Sequence, residues 1–280
     1  MEAKMRKIIA KVAFLKTILI CLLASCSLIP DAPSKAYIVC IGLDYSETEV
    51  TNLNGTTNDA LETAVCLATL YERRGIETHV CLIDSCTATD IRNLLSGLEL
   101  KKNDYLVFYW SGHGHKDDQG MFLVAYPEKD ESYSEFYISE LTDFTEKLPC
   151  PSLILLDCCY AGCAAEDFEL SVLGKDKLNK SAVIASCTKE ELSLMSHVRT
   201  EDGPYQAHSV FTVALLEQLG WVHSIDKKTT AGSLTAEGYV LKDPGRLTAS
   251  ELGQRIRNNV SRQAQHPVFE RTDIPVFVIP

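Results

Sequence analysis

Tyr105-Leu-Val-Phe-Tyr-Trp110 runs directly into Ser111-Gly112-His113-Gly114. Further along, Ser152-Leu-Ile-Leu-Leu156 runs into Asp157-Cys158-Cys159-Tyr160-Ala161-Gly162. Apolar runs this short, bounded by turn residues, predict strands buried on both faces of a parallel sheet. Two such strands carry a histidine and a cysteine to the same edge of one sheet. Open α/β sheets place their sites at that edge, and a thiol beside an imidazole is the pairing that nucleophilic catalysis requires.

Reading outward, Tyr37-Ile-Val-Cys-Ile-Gly42 is a buried strand. Asn58–Arg74 has helical periodicity through Leu61, Val65, Ala68 and Leu70, and Gly75 stops it. Glu77–Ile83 predicts a strand, and Asp90–Leu98 a helix capped by Thr87 or Thr89. Gly120–Val124 reads as a hairpin arm, and a helix to Lys147 starts with Ser139 at or near its cap. Leu153–Leu156 and Ala182–Ala185 are further strands, and Ser209–Leu219 and Thr248–Arg262 further helices. Ile274–Ile279 is expected to close the sheet. Strands alternating with helices imply an α/β fold with helices on both faces of a mostly parallel six-stranded sheet. Two polar stretches, Ala164–Lys180 and Asp226–Arg246, read as exposed loops.

The chemistry follows from the residue types. The thiolate, not the thiol, attacks a carbonyl. His113 can take the proton from Cys159, or hold the thiolate as an ion pair, and later protonate the leaving amine. Taken singly, His113 reads as a hydrogen-bonded loop histidine and Cys159 as a core thiol. Jointly, with their glycines and strand contexts, they read as a dyad. Cys158 is expected to pack inward and His115 to face solvent. A zinc site from His113, His115, Cys158 and Cys159 has the wrong spacing for a closed site, so no metal ligand and no cofactor is assigned.

With these motifs on the page, the chain resembles the caspase-like cysteine peptidases, closer to the metacaspase and prokaryotic caspase-like branch than to animal caspases. The resemblance runs from about Tyr37 to the C-terminus. It implies a three-layer sandwich and a cysteine endopeptidase with the dyad His113 and Cys159. The oxyanion donors would be the backbone N–H groups of Gly114 and Cys159. Asp157 would line the substrate pocket, together with Ser111 and with Asp59 of Gly55-Thr56-Thr57-Asn58-Asp59. Two carboxylates in a narrow pocket select Arg or Lys, because a neutral or acidic side chain leaves them unpaired. Leu53 stands where animal caspases carry an arginine that selects Asp. The plain alternatives are a helix-terminal acid for Asp59 and a strand-end turn residue for Asp157. Ala161 departs from the family's serine. Tyr133-Ser-Glu-Phe-Tyr137 lacks the paired aspartates of calcium-dependent relatives, so no calcium requirement is expected. Lys175, Lys177, Lys180, Lys227 and Lys228 mark self-cleavage points if the pocket takes basic residues. The rival functions are a caspase-like scaffold that binds without turnover, and a peptidase that cuts after Asp.

The chain has 280 residues, 46% apolar, and a net charge of -11. That length carries a sizeable core. The charge argues against a nucleic-acid partner; the protein or peptide substrate is what the resemblance implies. Residues 1–26 combine Lys4, Arg6, Lys7, Lys11 and Lys16 with the apolar run Ile18–Ala24 and then Ser25-Cys26. This is the order of an export signal or membrane-anchor segment. Leu23-Ala24-Ser25-Cys26 resembles a bacterial lipoprotein signal, which would anchor the chain through a lipid on Cys26. Residues 27–36 form a Pro-containing linker, and 37–280 the catalytic domain. Eleven cysteines without a disulfide pattern point instead to the cytoplasm. Export with membrane anchoring is the favoured localisation, and cytoplasmic the alternative.

Overall fold

A computed structural model describes residues 33–172, 181–198, 206–223, 239–241, 244–260, 265–269 and 275–277. In chain order its elements are β1 (Lys35–Gly42), α1 (Thr56–Arg73), β2 (Glu77–Ile83), α2 (Ala88–Ser96), β3 (Tyr105–Ser111), β4 (Gly114–Asp117), β5 (Gly120–Ala125) and β6 (Ser134–Tyr137). Then come α3 (Ile138–Glu146), β7 (Ser152–Asp157), α4 (Gly162–Val172), β8 (Ser181–Ala185), β9 (Met195–Val198), β10 (Gln206–Ser209) and α5 (Val210–Gln218). The last are β11 (Trp221–His223), β12 (Tyr239–Leu241), β13 (Leu247–Thr248), α6 (Ala249–Val260), β14 (Val268–Phe269) and β15 (Pro275–Phe277).

The main sheet has the order β14-β8-β7-β3-β1-β2. Its first five strands in sequence pair in parallel, and β14 joins β8 antiparallel. Because side chains alternate across a strand, each strand feeds both faces. Ile38, Cys40, Val107, Tyr109, Leu153 and Leu155 pack against α1, α5 and α6. Val39, Ile41, Leu106, Phe108, Trp110 and Leu156 pack against α2, α3, α4 and the small sheet of β4, β5 and β6. All seven side chains of β3 and all six of β7 are buried. That doubly covered position is why their sequences carry no polar alternation. The result is the expected three-layer α/β sandwich.

Several expectations need correcting. Ile274–Ile279 does not close the main sheet. Pro275–Phe277 pairs antiparallel with Leu247–Thr248 outside it, and the sixth strand is Val268–Phe269. Phe269 lies on Gly253 of α6, where an added Cβ would sit 2.5 Å from its ring, so helix packing decides which short apolar run reaches the edge. The polar stretch from Ala164 is not all loop. Ala161, Ala164 and Phe168 are buried at helical spacing and draw its first half into α4. Within 226–246, Tyr239–Leu241 is a strand paired with Trp221–His223. Ser139 lies near the start of α3, as expected, and the N-cap itself is Tyr137, whose backbone N–H donates to Glu140 Oε1. Lys35 and Ala36, assigned to the linker, begin β1. Residues 1–26 with Cys26, and the lysines 175, 177, 180, 227 and 228, lie outside the described residues.

Candidate active site

Strands β3 and β7 are neighbours, in register through Ser111 opposite Asp157. The Gly112 N–H donates to the Asp157 carbonyl at 3.2 Å, which ties the two strand ends just before the histidine and cysteine turns. At Gly114 a Cβ would lie 2.5 Å from the Cys159 carbonyl and 2.9 Å from Cys158 Sγ. The backbone of the His113 turn therefore rests on the backbone of the Cys159 turn, and only glycine permits that approach. Cys158 is buried and packs inward, Cys159 is half-buried, and His115 is exposed.

His113 is held at three points. Its backbone N–H donates to the Tyr45 hydroxyl at 2.9 Å, and that hydroxyl donates to the Val124 carbonyl at 2.6 Å. The Tyr45 and His113 rings stand 4.8 Å apart. His113 Nε2 lies 2.7 Å from the Thr51 carbonyl. A carbonyl only accepts, so Nε2 carries the proton and a neutral ring keeps its lone pair on Nδ1. Tyr45 and Tyr160, flanking the site, both have left-handed backbones, with φ of 63° and 61°. This conformation is costly for a side-chain-bearing residue, and here it accompanies the turns that present the histidine and the cysteine.

Burial pushes the Cys159 thiol up, and the Ser193 backbone N–H directed at it pulls it back in part. The resting cysteine is thus a thiol that needs a base. The turn is fixed around it. The Cys158 carbonyl accepts from Ser186 Oγ at 3.1 Å and Cys187 Sγ at 3.3 Å, and the Tyr160 N–H donates to the Glu191 carbonyl at 2.9 Å.

Asp59, Ser111 and Asp157 come together as a buried polar cluster. Ser111 Oγ donates to Asp59 Oδ2 at 3.2 Å. Asp59 also accepts from His208 Nδ1 at 2.8 Å and from the Ser209 N–H. Asp157 accepts from the hydroxyls of Ser193 at 2.8 Å, Thr212 at 2.6 Å, and Ser209. Burial, and then the charge of Asp59, push the Asp157 carboxyl up to about 7. Thr51, Tyr45, Ser193, Ser209, Thr212 and His208 were not singled out from the sequence as members of this site. Thr51 acts through its carbonyl, which every residue has. His208-Ser209 carried only a helix-start signal. Among the described residues, no group of three or more His, Cys, Asp or Glu side chains gathers as a metal site.

Residues 34–278 match the family model described as the caspase domain. The chain belongs to that family, a family of cysteine peptidases. A search of curated proteins found no match. Among solved structures, protein GSU0716 from Geobacter sulfurreducens is similar at 16% identity and a TM-score of 0.49, over 88% of this chain and 97% of that one.

Proposed function

We propose that this caspase-domain protein is a cysteine endopeptidase that cuts after Arg or Lys, as in the metacaspase branch. Support for the dyad comes chiefly from one observation: the His113 Nε2 proton is committed to the Thr51 carbonyl, on a turn packed against the Cys159 backbone. Nδ1 is thereby left as the base. It takes the thiol proton as Sγ bonds to the substrate carbonyl carbon. The N–H groups of Gly114 and Cys159 stabilise the oxyanion. Collapse breaks the C–N bond, and Nδ1–H protonates the departing amine. Water, deprotonated by Nδ1, then attacks the thioester. The acid is released and the proton returns to sulfur.

Specificity would come from Asp59, Ser111 and Asp157. The hydroxyls now bonded to these carboxylates can rotate and yield their places to a guanidinium or ammonium group, which supplies charge as well as N–H donors. The test uses fluorogenic peptides ending in Arg, Lys or Asp, with calcium and with chelator. Hydrolysis after Arg or Lys that disappears in Cys159→Ala and His113→Ala, and survives chelation, supports the proposal. Cleavage after Asp alone overturns the specificity. Binding without turnover in the wild type supports a scaffold instead.

A further inference from the structure

The catalytic steps above leave His208 unused, yet its side chain is only 2% exposed. It lies at the end of β10, beside Ser209, whose hydroxyl caps α5 by accepting the Thr212 N–H at 2.9 Å. The titratable groups around it come from three elements. Asp59 and Glu62 face it from α1, Asp157 belongs to the same cluster from the end of β7, and Tyr109 approaches from β3 through Thr212 at 2.5 Å. Nδ1 donates to Asp59 Oδ1 at 2.8 Å. Nε2 is 3.7 Å from Glu62 Oε1, beyond hydrogen-bond reach, and neither Nε2 nor Glu62 Oε2 has a partner among the described residues. The ring's hydrogen bond thus goes to Asp59, with Glu62 near enough to act on it only through charge.

The contacts divide the Asp59 carboxylate. Oδ1 takes the imidazole N–H, while Oδ2 takes Ser111 Oγ, on the strand end opposite Asp157. A fully buried carboxylate without a cationic neighbour takes up a proton, and a neutral carboxyl cannot pair with a guanidinium.

We propose that His208 is a positioning residue for specificity: it holds Asp59 charged and turns Oδ2 toward Ser111, and thereby sets the preference for a basic substrate side chain. This rests on reading Asp59 as part of the substrate pocket. Consistent with it, burial pushes Asp59 up, and the bond and charge of His208 are the largest influences drawing it part of the way back. Burial pulls His208 down, but the bond and charge of Asp59, with the charge of Glu62, together hold it above the usual histidine range.

The test compares kcat/KM for an arginine peptide with that for its citrulline isostere across pH, since protonation steps of the reacting groups common to both peptides cancel in the ratio. In His208→Phe the arginine-over-citrulline ratio falls roughly tenfold to a hundredfold at every pH, because a hydrogen bond to a charged group is lost. The loss lies chiefly in KM for the arginine peptide, where a merely structural defect would lower kcat/KM for both peptides alike. In His208→Asn, which keeps an N–H donor but no charge, the ratio approaches wild type at pH 9. At pH 6 it falls about tenfold, as the rise of the ratio moves to higher pH. A ratio within about twofold of wild type in the Phe variant overturns the proposal. If that variant does not fold, an unshifted pH profile in His208→Asn does so. A wild type that prefers citrulline refutes the basic pocket itself, an outcome distinct from either.

Discussion

At the residue scale, one tyrosine organises the histidine turn. The Tyr45 hydroxyl accepts the His113 N–H and donates to the Val124 carbonyl, so a single buried oxygen satisfies two backbone groups and joins β5 to the His113 turn. Tyr45→Phe keeps the ring against His113 but leaves both groups unpaired. The expected cost is about 1–3 kcal/mol of stability, together with a fall in kcat larger than any change in KM. Denaturant unfolding and steady-state kinetics on the same preparation check this. Unchanged kcat would mean that His113 is positioned by Thr51 alone. Neither contact was legible in the chain. A backbone carbonyl has no residue signature, and a tyrosine at positive φ after a strand looks like any loop tyrosine. His113 and Cys159 were legible because glycines and apolar strands frame them.

At the element scale, the site depends on two strand ends approaching more closely than side chains allow. Gly114→Ala places a Cβ 2.5 Å from the Cys159 carbonyl, so one turn must give way. An expected loss of about a hundredfold or more in kcat follows from a displaced oxyanion donor, with circular dichroism unchanged. Activity within tenfold of wild type would place the oxyanion donor elsewhere. The long central elements were readable because burial on both faces removes polar residues from β3 and β7, and helical periodicity marks α1. The short peripheral strands were not. Trp221–His223, Tyr239–Leu241 and Val268–Phe269 have two or three residues each, too few for a period to show, and their pairing is set by tertiary contacts. The apolar run at 274–279 looked the better edge strand, but the packing of Phe269 on Gly253 places the sheet's sixth strand at Val268–Phe269.

At the scale of the whole molecule, the buried acids set how stability varies with pH. Asp157 titrates at about 7 in the folded chain, against 3.8 ordinarily. Burial raises Glu62 as well. Between the ordinary carboxylate range and about pH 7, the folded state therefore holds protons that the unfolded chain has released, and stability falls as pH rises. For Asp157 alone this is on the order of a few kcal/mol. His208 acts in the same direction. Its folded value lies above 6.5, so its contribution is complete below that pH and is lost as pH rises through the raised value. Asp44, Asp90 and Glu140 are held low by hydrogen bonds, and their contributions disappear only as pH falls below about 4. Maximal stability is therefore expected near pH 4–5, with Tm falling by several degrees toward pH 8, and Asp157→Asn should flatten that fall. Calorimetry between pH 5 and pH 8 checks both, and a Tm that rises across this range would show the acids to be ionised without cost. On the pocket proposed above, a basic peptide bound to Cys159→Ala would bring positive charge to Asp157, so its stabilising effect should grow with pH, whereas a citrulline peptide should show no such trend.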